Sequence, residues 1–213
     1  MPTLHILSVG YVGERVASTV ALVETTDALV VVDPGMVAAT SLILDPLANL
    51  GHRPEEVTDV IISHHHPDHT INIALFPNAR VHDHWATYRN DVWTSRRAEG
   101  FEVAEGVTLW ETPGHTPQDI TTIVETPEGM VALTHLWWHR GGPLVDPSAT
   151  DPEGLASGRR RVLDRADLIV PGHGTPFSPA DMKATMTGTD RFRGSGENSS
   201  GAGPILRRLE ERA

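Results

Sequence analysis

The chain has 213 residues, no cysteine and a formal net charge of −11 with histidine counted as neutral. A single domain of that length buries about 70% of the unfolded chain's surface, so no metal is needed merely to fold it. The missing cysteines exclude disulfides and every thiolate metal site, and the acidic balance disfavours nucleic acid, which binds a basic surface. No apolar run approaches the roughly 20 residues of a membrane span, and Met1-Pro2-Thr3-Leu4-His5 lacks the basic start of a signal peptide. A cytoplasmic location, away from any membrane, is the expectation.

Leu4 to Val9 and Ala17 to Glu24 read as strands with polar positions interleaved, and Ala28 to Val32 as a third that runs into the turn Asp33-Pro34-Gly35. Val37 to Leu50 carries Leu42, Ile43, Leu47 and Leu50 near helical spacing and stops at Gly51, which predicts a packing helix. Val57 to Ile62 reads as a buried strand. It ends abruptly in Ser63-His64-His65-His66-Pro67-Asp68-His69, at the strand end where open α/β sheets place ligands.

His64 and His66 stand two apart in extended chain, so their imidazoles project the same way. Asp68 and His69 follow as Thr70 to Leu75 begins a predicted helix. Imidazole nitrogen and carboxylate oxygen suit zinc, iron or manganese better than calcium or magnesium. The alternative, a tag-like histidine tract, fits poorly, because tags lie at chain ends and lack the strand and the interleaved aspartate.

Ala79 to His82 reads as a short strand, followed by His84-Trp85 and a polar, aromatic segment to Arg97. His82 and His84 repeat the His-x-His spacing without a third donor in register, which suits a loop or pocket wall. Val107 to Glu111, Ile120 to Glu125 and Met130 to Leu133 read as strands, the last two joined through Thr126-Pro127-Glu128-Gly129. Strand ends then deliver His115 and His135. Trp137, Trp138 and His139 follow, and large rings beside such a loop suggest a wall for an apolar substrate part, with core packing of one tryptophan as the alternative.

Asp151 to Ala166 predicts a helix capped by Asp151 before Pro152, and Asp167 to Val170 a strand delivering His173. The run Arg159-Arg160-Arg161 reads as a solvated helix face, with contact to an anionic substrate as the alternative. Pro179 to Thr187 predicts a last helix. Residues 1–187 thus form one domain, and 188–213 a Gly/Ser-rich tail with a short helix over Pro204 to Arg212. Its Ile205, Leu206 and Leu209 share a face that suits the domain itself or a neighbouring subunit, which makes a homodimer one expectation.

His64-x-His66-x-Asp68-His69 after a buried strand resembles the signature of the metallo-β-lactamase superfamily. Pro113-Gly114-His115-Thr116-Pro117 and Pro171-Gly172-His173-Gly174 are similar to its later loops, and the order holds from Leu4 to about Phe177. Gln118-Asp119 and the arginine run resemble the compact group around metallo-β-lactamase domain-containing protein 1. The resemblance implies a four-layer αββα sandwich. It also implies a site one of His64, His66 and His115, a site two of Asp68, His69 and His173, and an Asp33 that braces a ligand, where an ordinary turn-former is the alternative reading.

In one place the chain departs from the family. Where the family has a Gly-Asp whose aspartate bridges two metals, this chain has Thr134-His135. His135 either adds a ligand to site two, the preferred reading, or leaves the centre mononuclear, or is a pocket residue. The reaction expected is hydrolysis of a small ester, lactone, thioester or related small-molecule substrate by a water activated at one or two zinc ions, with manganese or iron as substitutes. Asp68 orients or deprotonates that water, and Asp119 contacts substrate or a ligand. The alternatives are a mononuclear iron oxygenase of the same fold, a phosphodiesterase or ribonuclease, and a non-catalytic metal-binding module.

Overall fold

The computed structural model describes residues 1–186, so the expected tail and its Pro204 to Arg212 helix lie outside the described residues. In chain order the strands are β1 (Thr3–Ser8), β2 (Tyr11–Val12), β3 (Val16–Ala17), β4 (Val20–Glu24), β5 (Leu29–Val32), β6 (Asp59–Ile61), β7 (Arg80–His82), β8 (Ala86–Arg89), β9 (Val92–Ser95), β10 (Glu102–Ala104), β11 (Val107–Glu111), β12 (Ile120–Thr126), β13 (Gly129–Thr134) and β14 (Leu168–Pro171). The helices are α1 (Ser41–Asn49), α2 (Pro67–Thr70), α3 (Pro152–Arg165) and α4 (Pro179–Met186).

These strands pair into a seven-stranded sheet, β1-β4-β5-β6-β7-β8-β9, and a five-stranded sheet, β10-β11-β12-β13-β14, with β2 and β3 as a separate hairpin. Pairing is parallel from β5 through β6 to β7 and between β13 and β14, and antiparallel elsewhere. Parallel neighbours need a long crossover. α1 lies in the crossover from β5 to β6, and α3 in the one from β13 to β14.

The two-residue period of a strand decides what each sheet face covers. In β4, β5 and β6, Ala21, Val23, Val30, Val32 and Ile61 meet Ile120, Val124, Val131, Leu133, Leu168 and Val170 of the other sheet. The alternate residues Leu22, Val31 and Val60 face away, onto Ile43 and Leu47 of α1. Ile123, Ala132 and Ile169 likewise turn outward onto Leu155, Val162 and Leu163 of α3. Helix, sheet, sheet and helix therefore stack as four layers, the αββα arrangement the sequence predicts.

Four local expectations need correction. The helix predicted from Thr70 begins at Pro67, whose fixed φ suits a first helical position after the extended His66, and it lasts four residues. It stops because Asn72 donates from its backbone N–H to Pro34 and from Nδ2 to the Gly35 carbonyl. The segment to Arg97 folds as the β8-β9 hairpin, with Asn90 at φ +54 in its turn, a conformation asparagine tolerates. Trp137 is fully buried against Phe177, so it belongs to the core and not to a substrate wall.

Arg159 does not lie on a solvated face. It is buried on α3 and donates to the carbonyls of Leu136, Leu144 and Pro143, tying down the loop after β13. Arg161 pairs with Glu99 and stacks on Trp110. Among the described residues, no helix is long and apolar enough to cross a membrane.

Candidate metal centre

Strand ends gather the histidines. β6 leads into His64, His66, Asp68 and His69, β11 into His115, β13 into His135 and β14 into His173. Backbone bonds lock the two sheets together at this edge, Ile120 N–H donating to the Ser63 carbonyl and Thr19 N–H to that of Gly172, while His173 N–H to the Trp138 carbonyl ties the loops after β14 and β13. The extended chain turns His65 away from its neighbours. It donates from Nε2 to Asp83 and packs on Trp85. His82 donates to Asp59 and His84 packs on Trp85, so neither joins the cluster.

Each of four rings has its Nδ1 proton assigned by a neighbour. His69 Nδ1 donates to Asp33 Oδ2 at 2.8 Å, His115 Nδ1 to Asp146 Oδ2 at 2.8 Å, and His173 Nδ1 to the Ala17 carbonyl at 2.8 Å. Ser63 Oγ donates to Asp33 Oδ2, so it accepts from His64 Nδ1 at 3.1 Å. In the neutral form of each ring, Nε2 is therefore left with a lone pair and no proton.

Those lone pairs converge. His64 Nε2 and His115 Nε2 lie 2.9 Å and 3.2 Å from His66 Nδ1. Asp68 Oδ2 lies 3.5 Å from both His69 Nε2 and His173 Nε2. His135 sits between the groups, its ring centroid 4.6 Å from that of His64, 4.4 Å from that of His115, 4.9 Å from that of His69 and 5.2 Å from that of His173. Three sets have ligand atoms within 4.8 Å of one another: His64, His66 and His115; Asp68, His69 and His173; and His64, His69 and His135.

The donor set fits a bound cation. Ligands about 2.0–2.1 Å from a tetrahedral zinc stand about 3.3 Å apart, close to the separations found here. His69 Nε2 is buried with no hydrogen-bond partner among the described residues, a cost that an ion would remove. Burial holds the His64 and His135 imidazoles well below the ordinary histidine range, and neighbouring rings add to it, so both rings are neutral. His69 differs: burial lowers it, but the carboxylates of Asp33 and Asp68 prevail and raise it. A field that favours a proton there favours a metal ion equally.

Several brace residues surround the donors. Asp33, at φ +52, accepts from Ser63 N–H, Ser63 Oγ and His69 Nδ1. Asp119 accepts from the backbone and hydroxyl of Thr116 and lies 3.9 Å from His64 Nδ1, and burial pushes its carboxyl up to about 6. Asp146 was not singled out in the sequence. It is buried and accepts from His115, Trp138 Nε1 and Ser148 N–H. Its one sequence signal was the turn-forming Asp146-Pro147-Ser148. Trp138 is half-buried as a prop for Asp146, and His139 is exposed, held to the Arg140 carbonyl.

Known proteins are similar to this chain. Metallo-β-lactamase domain-containing protein 1 of Xenopus laevis is 31% identical over 189 residues, 82% of this chain and 81% of its own. The Homo sapiens protein of that name is 35% identical over 166 residues, and this chain spans 62% of its length. An N-acyl homoserine lactonase of Bacillus cereus is 33% identical over 103 residues, 41% of each chain.

Among solved structures, one from Thermotoga maritima described as a metallo-β-lactamase superposes with a TM-score of 0.67 at 24% identity, over 84% of this chain and 99% of that one. A quorum-quenching N-acyl homoserine lactone lactonase superposes at 0.61 and 20% identity, over 81% and 91%. A third, solved in a di-iron-bound form, superposes at 0.62 and 20% identity, over 82% and 96%. The family model of the metallo-β-lactamase superfamily matches residues 13–175. With that match laid over the two sheets and the histidine cluster at their edge, the chain belongs to the metallo-β-lactamase superfamily.

Proposed function

We propose that the protein is a metal-dependent hydrolase of a small ester, lactone, thioester or related carbonyl substrate. The observation that carries this reading is the convergence of imidazole lone pairs and the Asp68 carboxylate on one sheet edge, with the His64, His69, His115 and His173 rings oriented from behind. An ion bound there would supply Lewis acidity and bring the pKa of a coordinated water to about 7. The lactonase names among the relatives and structural neighbours support a carbonyl substrate. The acidic net charge argues against a ribonuclease.

The chain's own contribution is orientation and proton transfer. Asp68 turns Oδ2 toward His69 and His173, which leaves Oδ1 to take the proton of the attacking water. The water oxygen adds to the substrate carbonyl carbon, the bond to the alkoxide or thiolate breaks, and that proton passes to the leaving group. His66 is the exposed ligand and marks the side from which substrate enters.

The test is turnover by zinc- or manganese-loaded protein across ester, lactone, thioester, β-lactam and phosphodiester substrates, alongside Asp68→Asn. Hydrolysis of a carbonyl substrate that falls about 100-fold or more in the variant is expected. Full metal occupancy without turnover, or an Asp68→Asn protein as active as the parent, would sink the reading.

One observation favours a second reading. Asp68, His69 and His173 form the two-histidine, one-carboxylate set of non-haem iron oxygenases. Retention of one iron with oxygen uptake on substrate addition would replace the hydrolase with it.

A further inference from the structure

The seven-stranded sheet ends in an open strand. β9 is the last of its row, with β8 on one side and, among the described residues, no strand on the other. Its residues Val92, Trp93, Thr94 and Ser95 are all exposed, Val92 at 59% and Trp93 at 61%, and none is charged or a proline. A sheet edge is ordinarily blunted by charge, proline, a bulge or a covering loop, because its unpaired N–H and C=O groups invite another strand. The five-stranded sheet protects both of its ends in such ways. Phe177 bridges to Ile169 beside β14, and β10 is a three-residue strand of shifted register that starts at the exposed Glu102.

The pairing with β8 decides which groups of β9 face outward. Trp93 lies opposite Tyr88 and Ser95 opposite Ala86, while Arg96 N–H donates to the Trp85 carbonyl. Backbone groups alternate in direction along an antiparallel strand, so those of Val92 and Thr94 point to β8 as Arg96 does, and those of Trp93 and Ser95 point to the open side. A second β9 running antiparallel must set outward residues against outward residues. One such register places Trp93 opposite Ser95 of the other copy and Thr94 opposite its own image. Two residues further along, it sets the exposed Asp91 of each copy against Arg97 of the other. Opposite charges then meet at both ends, where parallel in-register pairing would set like on like. Arg97 is within reach, its side chain 77% exposed and held only by Glu111 at 3.5 Å.

We infer that β9 pairs antiparallel with β9 of a second copy of this chain, in the register centred on Thr94, and joins the two seven-stranded sheets across a twofold axis. A twofold interface needs a patch that complements itself, and this edge does. Trp93 and Ser95 exchange backbone bonds in both halves, and Asp91 and Arg97 close the ends. The two Trp93 residues lie diagonally across the pair, at the roughly 7–8 Å that aromatic side chains span. Each is already held on that face by its edge-on contact with Tyr88, 4.7 Å between centroids. So short an edge buries less than the roughly 1,200 Å² of a standard interface, so the dimer dissociates on dilution. The metal centre takes no part in it.

The test is sedimentation velocity of the full chain over a concentration series from the low micromolar upward. A monomer–dimer equilibrium is expected. Trp93→Lys, and Ser95→Pro, which removes an outward N–H and no bond to β8, each weaken the dimer by about tenfold or more. Asp91→Arg weakens it, and Asp91→Arg combined with Arg97→Asp restores it. The chain has no cysteine, so Thr94→Cys supplies a single thiol. Copper-catalysed air oxidation then links two copies, because facing Cα atoms of a non-hydrogen-bonded pair stand about 4.5 Å apart, within disulfide reach. Val92→Cys, facing Arg96 of the other copy, gives no such link.

A monomer at every concentration overturns the inference, whether residues 187–213 or another protein's strand takes the edge. So does a dimer that survives Trp93→Lys, or a loss with Asp91→Arg that the charge swap does not reverse, since the copies then meet elsewhere or in another register. Melting curves of each variant separate a lost interface from misfolding. Where Ser95→Pro does not fold, Trp93→Lys at its exposed position carries the comparison. No metal or substrate enters the measurement, so a failed hydrolase reading leaves the inference standing, and a monomer leaves the hydrolase reading standing.

Discussion

Asp146 Oδ2 lies 2.8 Å from His115 Nδ1, although 31 residues separate them in the chain. The same oxygen accepts from Trp138 Nε1 at 3.0 Å, so one buried carboxylate fixes the ring of a proposed ligand and is itself fixed by an indole. Asp146→Ala frees the His115 ring to rotate. Metal affinity is expected to fall about 10- to 100-fold at the His64, His66 and His115 site, with the fold retained. Dye-competition titration checks it, and an unchanged affinity would remove Asp146 from the centre.

Asp33 serves the other site. It joins Ser63 to His69, and its left-handed backbone is one that asparagine also adopts. Asp33→Asn keeps the turn but loses the charge and one acceptor, so a drop in metal affinity of about tenfold or more is expected without a large change in melting temperature. Asp33→Val, which cannot adopt φ +52 without strain, should lower both.

Gly35 lies under the backbone of Asp68, where a Cβ would come within 1.5 Å of the Asp68 carbonyl oxygen. Met36 N–H donates to that same oxygen. Gly35→Ala therefore forces the Asp33 turn away from α2, and both metal content and turnover should collapse. Elemental analysis of the purified variant reads this directly, and normal metal content would show the turn to be more yielding than its packing suggests.

Asp59 gives a pH dependence away from the metal centre. It is fully buried, which by itself would raise its pKa, but the bonds from His82 Nε2 and the Arg80 guanidinium prevail and hold it below the usual range. Thr58, Arg80 and His82 are the groups that face it. A carboxyl lowered on folding contributes stability that is complete above its unfolded pKa of about 3.9 and is lost as pH falls through the lower folded value. Asp59→Ala should cost about 3 kcal/mol at pH 7 and progressively less below about pH 4. Thermal melts at stepped pH decide it; a pH-independent cost would show that packing, not charge, is what the variant loses.

Arg159→Met removes the donors to three loop carbonyls. At about 1–3 kcal/mol for each buried group left without a partner, partly relieved by relaxation, a loss of about 3 kcal/mol is expected. The same loop carries Trp138 and Asp146, so metal affinity should fall with it. Arg159→Lys should rescue neither, because one ammonium cannot span three acceptors in the guanidinium plane. Chemical denaturation and metal titration test both halves.

The amino-acid sequence by itself marked the core strands and a local cluster of candidate donors. Strand period and apolar runs marked β5, β6, β11, β12, β13 and β14 to within a residue or two, because β-branched and apolar residues buried on one or both sheet faces leave a local signal. The spacing of His64, His66, Asp68 and His69 marked a donor cluster because the backbone periods that aim those side chains are local. What was missed lacked such a signal: the β8-β9 hairpin has exposed apolar residues such as Val92 and Trp93 and no buried stripe, and its turn rests on the unusual φ of Asn90.

Tertiary structure alone decided which polar residues serve the centre. Nothing local distinguishes Asp146 from an ordinary turn residue, or Arg159 from its neighbours in a basic run. Each takes its role from chain folded against it: the His115 loop for Asp146, and the loop after β13 for Arg159. Trp137 and Trp138 are adjacent in sequence, yet one packs in the core against Phe177 and the other props Asp146. The position of His135 is of the same kind. Its distance to His173 follows from the register of two strands whose partners lie 37 residues apart, Val131 opposite Leu168 and Thr134 opposite Pro171, a long-range pairing that no local pattern encodes.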